Sequence, residues 1–203
     1  MKKRKLAIIL NVLIIIFEII GFIITYNNNH RIAIEYYTED SNILALITST
    51  IFLIYLLFNK KIPKYLKMLK YISTICLTIT FLVVIFILAP MLNFNYNYLL
   101  FQDELLYHHL ICPVLCIITF LFFDNLEKYT LKENIISLFA TTLYGIVIVI
   151  LNILKIVDGP YPFIRINYQP VVISIIWIIV LLVFAYIIAL LLRKIHYKTN
   201  KEK

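Results

Sequence analysis

The sequence predicts an all-α, polytopic membrane helix bundle with six transmembrane helices in one domain spanning residues 1–203. Three observations predict it. The chain is 63% hydrophobic and only 15% charged, where a soluble domain is about 45–50% apolar and about 25% charged. Its mean hydropathy is +0.94. The apolar residues fall in long blocks rather than at helical or strand period, and blocks of about 18 or more read as transmembrane helices. Lipid cannot satisfy the backbone of an open sheet, so the blocks are helices; the in-out alternation of a membrane barrel is absent from the sequence.

The six helices are expected at about 6–26, 40–58, 69–92, 106–123, 135–157 and 171–192. The first follows the basic stretch "MKKRK", which looks like the start of a secretion signal. Its apolar run is too long for a signal core of about 7–15 residues, and no A-x-A site follows, so it is read as a retained helix. The second and fourth are short on hydropathy alone, with apolar cores at 43–58 and 108–123, and each takes a turn from its polar flank. The third, fifth and sixth are long enough unaided. No connection exceeds about 17 residues, near the upper end of ordinary loops, and only three glycines and six prolines are available for turns.

Lysine and arginine orient the bundle. Four lie on the N-terminus (Lys2, Lys3, Arg4, Lys5) and five on the second connection (Lys60, Lys61, Lys64, Lys67, Lys70). Two lie on the fourth connection (Lys128, Lys132) and five on the tail (Arg193, Lys194, Lys198, Lys201, Lys203). Sixteen on that side face three on the other, Arg31, Lys155 and Arg165. The positive-inside rule then puts both termini in the cytoplasm of a plasma-membrane protein. The net charge of +8 is a topology signal, with attraction to anionic membrane lipids. No nucleic-acid partner is expected, since the basic residues are spread over short loops.

With that topology the polar residues converge on the outer leaflet, leaving inner halves rich in Ile, Leu, Phe and Val. His108 and His109 open the fourth helix on the outer side, with Asp103 just before them. Thr38, Ser41 and Asn42 open the second. Asp158 and Tyr161 lie in the last outer loop. Glu18 stands twelve residues beyond Leu6, about 18 Å up the first helix. Ionisable groups at membrane depth are costly and are functional candidates by default.

Three stretches carry a resemblance. "YYTEDSNILALI", "YHHLICPVL" and "DGPYPFIRIN" occur in this order, and on them the chain resembles a group of bacterial six-helix integral membrane proteins. More distantly it resembles the androgen-induced transmembrane threonine hydrolases, which cleave fatty-acid esters of hydroxy fatty acids. That resemblance implies a lipid-ester substrate, Thr38 as nucleophile, and His109 or His108, ahead of Pro113, as base. Tyr161 belongs to the matching "YPF". The chemistry is sound for these residue types. A threonine hydroxyl needs a base, and imidazole suits the task near neutral pH. Glu18, Asp103 or Asp158 would orient the imidazole, and Asn42 or free helix amides would hold an oxyanion; Ser41 is a second hydroxyl.

Plainer readings stand beside these. Thr38, Asp40 and Ser41 are all favoured N-cap residues. Pro113 suits a kink or a first turn, and Tyr161 suits the interfacial aromatic belt. Cys76, Cys112 and Cys116 read as core thiols. His109, Cys112 and Cys116 share a helix face that zinc would favour, but no fourth ligand is near in sequence, so no metal or cofactor is expected. A small-solute or lipid transporter, the alternative class, would show paired repeats and midplane polar groups, and a non-catalytic membrane protein is a third reading. The oligomeric state is open; no GxxxG pair is present.

Overall fold

The computed structural model describes residues 2–124 and 129–201; Lys128 and Lys203, two of the lysines in the charge count, lie outside them. Seven helices follow one another: α1 (Lys2–Asn29), α2 (Tyr37–Leu57), α3 (Lys64–Met91), α4 (Tyr96–Phe101), α5 (Asp103–Phe123), α6 (Leu131–Ile153) and α7 (Val171–Lys201). No strand occurs among the described residues. All but the six-residue α4 are long and apolar enough to cross a membrane. The protein is a multi-pass integral membrane protein built as a helix bundle.

Six crossings return the chain to its starting end, called here the terminal end. Arg4, at the start of α1, donates to the Leu56 carbonyl at the close of α2. Thr199, at the end of α7, donates to the Leu121 carbonyl at the end of α5, 2.9 Å away. Helices start earlier than hydropathy alone places them, at Tyr37 and Lys64 for example, because polar flanks continue the helical hydrogen bonding.

The helices face the membrane with aliphatic side chains and pack against one another through a mixture of apolar and polar ones. On α1, Ile9, Ile16 and Ile23 are exposed, while Ala7, Asn11, Ile14, Glu18, Gly21 and Thr25 are buried. The buried set steps by four and three residues, one face of a helix. Lipid gives no hydrophobic drive between helices, so packing and interhelical hydrogen bonds hold the bundle. The Tyr71 hydroxyl on α3 lies 2.8 Å from both Asn134 Oδ1 on α6 and the Ala189 carbonyl on α7. Tyr37 on α2 and Thr141 on α6 approach to 2.7 Å. Such bonds contribute about 0.6 kcal/mol each in membranes.

The polar groups are not confined to one end. Lys70, read above as a loop lysine, is inside the bundle and 0% exposed. It lies 3.7 Å from Asp124 and donates to Asn11 Oδ1 at 2.9 Å and Ser49 Oγ at 3.3 Å. The expectation of an apolar terminal-end interior is therefore overturned. Lys70 follows four lysines in a basic run, and nothing local marks it as the one that turns inward; its partner Asp124 is 54 residues away.

Candidate functional site

The site lies at the opposite end, where the starts of α2 and α5 meet. α5 begins irregularly. Asp103 takes a left-handed φ of 44°, a conformation Asp tolerates better than most residues, and separates α4 from α5. Residues Leu106–Ile111 then form a π-helical turn, in which the Cys112 amide bonds the Tyr107 carbonyl five residues back. Pro113 has no N–H to offer the His109 carbonyl four residues behind it, so the regular ladder is already broken there. Single π turns are frequent at functional sites. On this turn the two adjacent histidines reach different partners.

His109 faces Thr38. Its Nε2 lies 3.4 Å from Thr38 Oγ1, and its Nδ1 lies 2.7 Å from the Leu99 carbonyl. A carbonyl only accepts, so Nδ1 carries the proton and Nε2 presents its lone pair to the threonine hydroxyl. Leu99 belongs to α4, which is started by Asn95 accepting the Tyr98 amide at 3.1 Å and held by buried Leu99 and Leu100. A segment expected to be a plain connection thus fixes the imidazole.

Thr38 is not the cap of α2. The helix starts at Tyr37 after Tyr36, which makes no side-chain cap. Thr38 is 8% exposed and its side chain turns inward. Its amide donates to the Tyr161 hydroxyl oxygen at 3.3 Å, and its Oγ1 lies 3.4 Å from the same oxygen. Tyr161 comes from the last loop. Gly159 packs so closely on the Ile164 carbonyl that a Cβ there would sit 2.4 Å from it. Arg165 donates back to the Gly159 carbonyl at 3.1 Å, and Phe163 stacks on Tyr161 with centroids 5.3 Å apart. The "DGPYPFIR" stretch is a mount for one phenol. Burial pushes that phenol up to about 12, with the Thr38 contacts partly opposing, so it stays protonated and able to donate at neutral pH.

The supporting residues separate into three groups. Ser41 donates to the Thr38 carbonyl at 2.9 Å and touches Thr80 on α3, so it braces α2. Asn42 donates to the carbonyls of Thr38 at 2.7 Å and His108 at 3.3 Å; these bonds tie α2 to the π turn and leave its amide poorly placed to hold an oxyanion. Glu18 faces the other histidine: His108 Nε2 lies 3.9 Å from Glu18 and Nδ1 3.8 Å from Glu39. Asp103 is exposed at its turn. Asp158 accepts from Tyr168 at 3.1 Å and lines a polar cavity with Arg31, Glu35 and Tyr36. The carboxylate expected to orient the base is thus replaced by the Leu99 carbonyl.

Sequence reasoning missed Glu39, Lys70, Asp124, Asn11 and the Leu99 carbonyl. One available signal was the seven-residue spacing of Asn11, Glu18 and Thr25 on α1. Among the described residues no group of three or more His, Cys, Asp or Glu side chains is arranged to hold a metal ion.

Beside Thr38 and Tyr161 opens a cavity of about 300 Å³, at the lower end of the small-molecule range. Ile79, Val83, Ile148 and Leu181 are among the side chains that make it apolar. Gly145 on α6 lines it, and a Cβ there would meet nothing within 4 Å. Its rim includes Ile146, Ile150 and Leu182, all exposed on the faces of α6 and α7. No family model, no curated protein and no solved structure matches the chain.

Proposed function

We propose that the protein is an intramembrane hydrolase of lipid-like esters, with Thr38 as nucleophile and His109 as general base. One observation carries the reading: His109 holds its proton on Nδ1 against the Leu99 carbonyl and turns Nε2 toward Thr38 Oγ1, 3.4 Å away. That separation is long for proton transfer, as unliganded sites often are. The motif resemblance to the androgen-induced threonine hydrolases supports the same two residues. The apolar cavity beside Thr38, rimmed by membrane-facing side chains, suits an acyl chain arriving sideways from lipid. With sixteen of nineteen basic residues on the terminal side, the site belongs in the outer leaflet of the plasma membrane and both termini in the cytoplasm.

The steps follow from the groups present. Thr38 Oγ1 attacks the ester carbonyl carbon while its proton passes to His109 Nε2. The developing oxyanion takes a hydrogen bond from Tyr161, whose oxygen already accepts the Thr38 amide and whose own proton is free to donate. The intermediate collapses, the alkoxide takes the proton from Nε2 and leaves as the alcohol, and an acyl-threonine remains. Water then gives a proton to Nε2 as it attacks the acyl carbon; the second intermediate collapses, the carboxylic acid leaves, and Nε2 returns the proton to Thr38 Oγ1.

The test is fluorophosphonate labelling and turnover of a hydroxy-fatty-acid ester by purified protein. Thr38→Ala and His109→Ala should each lose about a hundredfold or more. Gly145→Leu should fill the cavity and abolish long-chain turnover while a short-chain ester is still cleaved. A Thr38→Ala protein that folds, labels and turns over like wild type would sink the mechanism.

A further inference from the structure

His108 is unused by the ester chemistry, and it is the centre of a second constellation. It is 0% exposed, as is Glu18, and Glu39 is 8% exposed. Both His108 nitrogens, Glu39 Oε2 and Asn42 Oδ1 lack a hydrogen-bond partner among the described residues, and the only side chain there to bond the Glu18 carboxyl is the weakly donating Cys112 thiol. Buried polar atoms are nearly always satisfied, so a cluster of this size marks water or exchangeable protons. The geometry is that of a relay through the ring, because the two nitrogens face two different carboxyl groups, Glu18 on α1 and Glu39 on α2.

A second charged group lies on the same helices toward the terminal end: Lys70, Asp124, Asn11 and Ser49. Asp124 Oδ2 has the Lys70 ammonium 3.7 Å away and no closer hydrogen-bond partner among the described residues, and Asn11 Nδ2 reaches Asp124 Oδ1 at 3.5 Å. Asn11 and Glu18 are seven residues apart on one face of α1, about 10 Å along the axis. Between them lies one apolar layer with a single residue from each helix: Ile14 (α1), Ala45 (α2), Leu77 (α3) and Cys116 (α5). Every one of these helices carries a polar residue within about two turns on either side of its layer residue, and Thr48 Oγ1 and Thr25 Oγ1 are further buried atoms without partners.

We propose that the interior of α1, α2, α3 and α5 is a proton pathway. Asp124 with Lys70 is the station at the terminal end, Glu18–His108–Glu39 is the station at the other, and the Ile14–Ala45–Leu77–Cys116 layer is the barrier between them. At the second station a protonated Glu18 gives its proton to His108 Nε2, and the imidazolium gives the proton on Nδ1 to Glu39, which lies next to the surface. One proton moves from Glu18 to Glu39, and the ring is left as the other tautomer and resets by rotation or by exchange with water. The separations of 3.9 and 3.8 Å exceed a hydrogen bond and are bridged by one water or a small side-chain shift. The other titratable groups facing the stations are His109 and Cys112 beside Glu18–His108–Glu39 and His196 and Cys116 near Asp124. Chains of acids and histidines inside a bundle are the established form of membrane proton relays.

The experiment needs no ester and so stands or falls separately from the hydrolase reading. Purified full-length protein is reconstituted in vesicles holding a pH dye, and a potassium diffusion potential is imposed with valinomycin. Wild type should carry protons faster than protein-free vesicles, and Glu18→Gln and Asp124→Asn should return the rate to the protein-free value. Glu39→Gln, nearest the surface and least able to disturb folding, should do the same; size-exclusion profiles verify each fold. Ile14→Asn should speed the flux by wetting the barrier. A silent wild type with an Ile14→Asn flux that Glu18→Gln abolishes also supports the pathway, with its layer closed at rest. Wild type and Ile14→Asn both at the protein-free rate would overturn it. So would a flux indifferent to Glu18→Gln and Glu39→Gln, which is a leak.

Discussion

At the scale of single residues, the adjacent pair His108 and His109 is the most informative feature. One imidazole is tied by Nδ1 to a carbonyl and aimed at a hydroxyl; the next, one position away, lies between two acids. Tyr161 is the residue whose role is most directly measurable. Under the proposed mechanism, Tyr161→Phe keeps the ring stacked on Phe163 and removes one oxyanion donor, so kcat should fall about a hundredfold or more with little change in melting temperature. Its raised phenol gives a pH expectation as well. The donor proton is present below about 12, so the alkaline side of a kcat profile should stay flat until near that value. The phenol's contribution to stability has the same sign: it is complete below the ordinary tyrosine range and lost as pH rises through about 12. Lys70 and Asp124 make a different prediction. Removing either partner leaves a buried charge alone, which typically costs about 3–5 kcal/mol, so Lys70→Met or Asp124→Leu should each lower the unfolding midpoint in detergent sharply. The double variant should recover much of the loss.

At the scale of elements, small local irregularities decide where functional groups point. Consecutive side chains on a helix already differ by about 100° in direction, and on the π turn before Pro113 His108 turns to the acids of α1 and α2 while His109 turns to Thr38. Close packing of α1 on α5 keeps His108 in place: Gly21 lies so near that an added Cβ would be 2.4 Å from His108 Nε2 and 3.2 Å from Tyr107 Cβ. Gly21→Ala must therefore displace the His108 ring or the turn that carries it, at about 1–3 kcal/mol for overpacking. Thermal unfolding should register that loss, although alanine in an exposed helix normally gains stability over glycine. An unchanged or raised melting temperature would mean that α1 and α5 do not pack this closely. The same displacement should lengthen the bond from Asn42 to the His108 carbonyl and move His109 from Thr38.

At the scale of the whole molecule, the bundle is apolar outside and carries buried polar clusters among its apolar core at both ends. Transmembrane helices that pack through Asn, Thr, Ser, Glu and His rather than through glycine pairs depend on satisfied hydrogen bonds for their specificity. The orientation proposed from lysine and arginine is open to direct measurement. A single added cysteine at Asn28 or Asn95, in a background without the three native thiols, should react with an impermeant reagent from outside intact cells, and one at Asn200 should not. The reverse pattern would place the Thr38 site against the inner leaflet and remove the proposed access from outer-leaflet lipid. Burial of Lys70 weakens the charge asymmetry by one residue without changing its sign.

The sequence by itself determined the helical class, the number of crossings and the neighbourhoods of Thr38, His108, His109 and Tyr161. Block length and polarity are local properties that a bilayer selects directly. It did not determine which histidine meets Thr38, because that depends on how α2, α4 and α5 pack against one another. Nor did it expose Lys70, Asp124 and Glu39 as interior groups. A lysine in a basic run and an acid in a helix start look like solvated residues until partners 54 and 69 positions away come to lie beside them. Those pairings are set by how α1, α2, α3 and α5 pack against one another, and only the tertiary structure decided them.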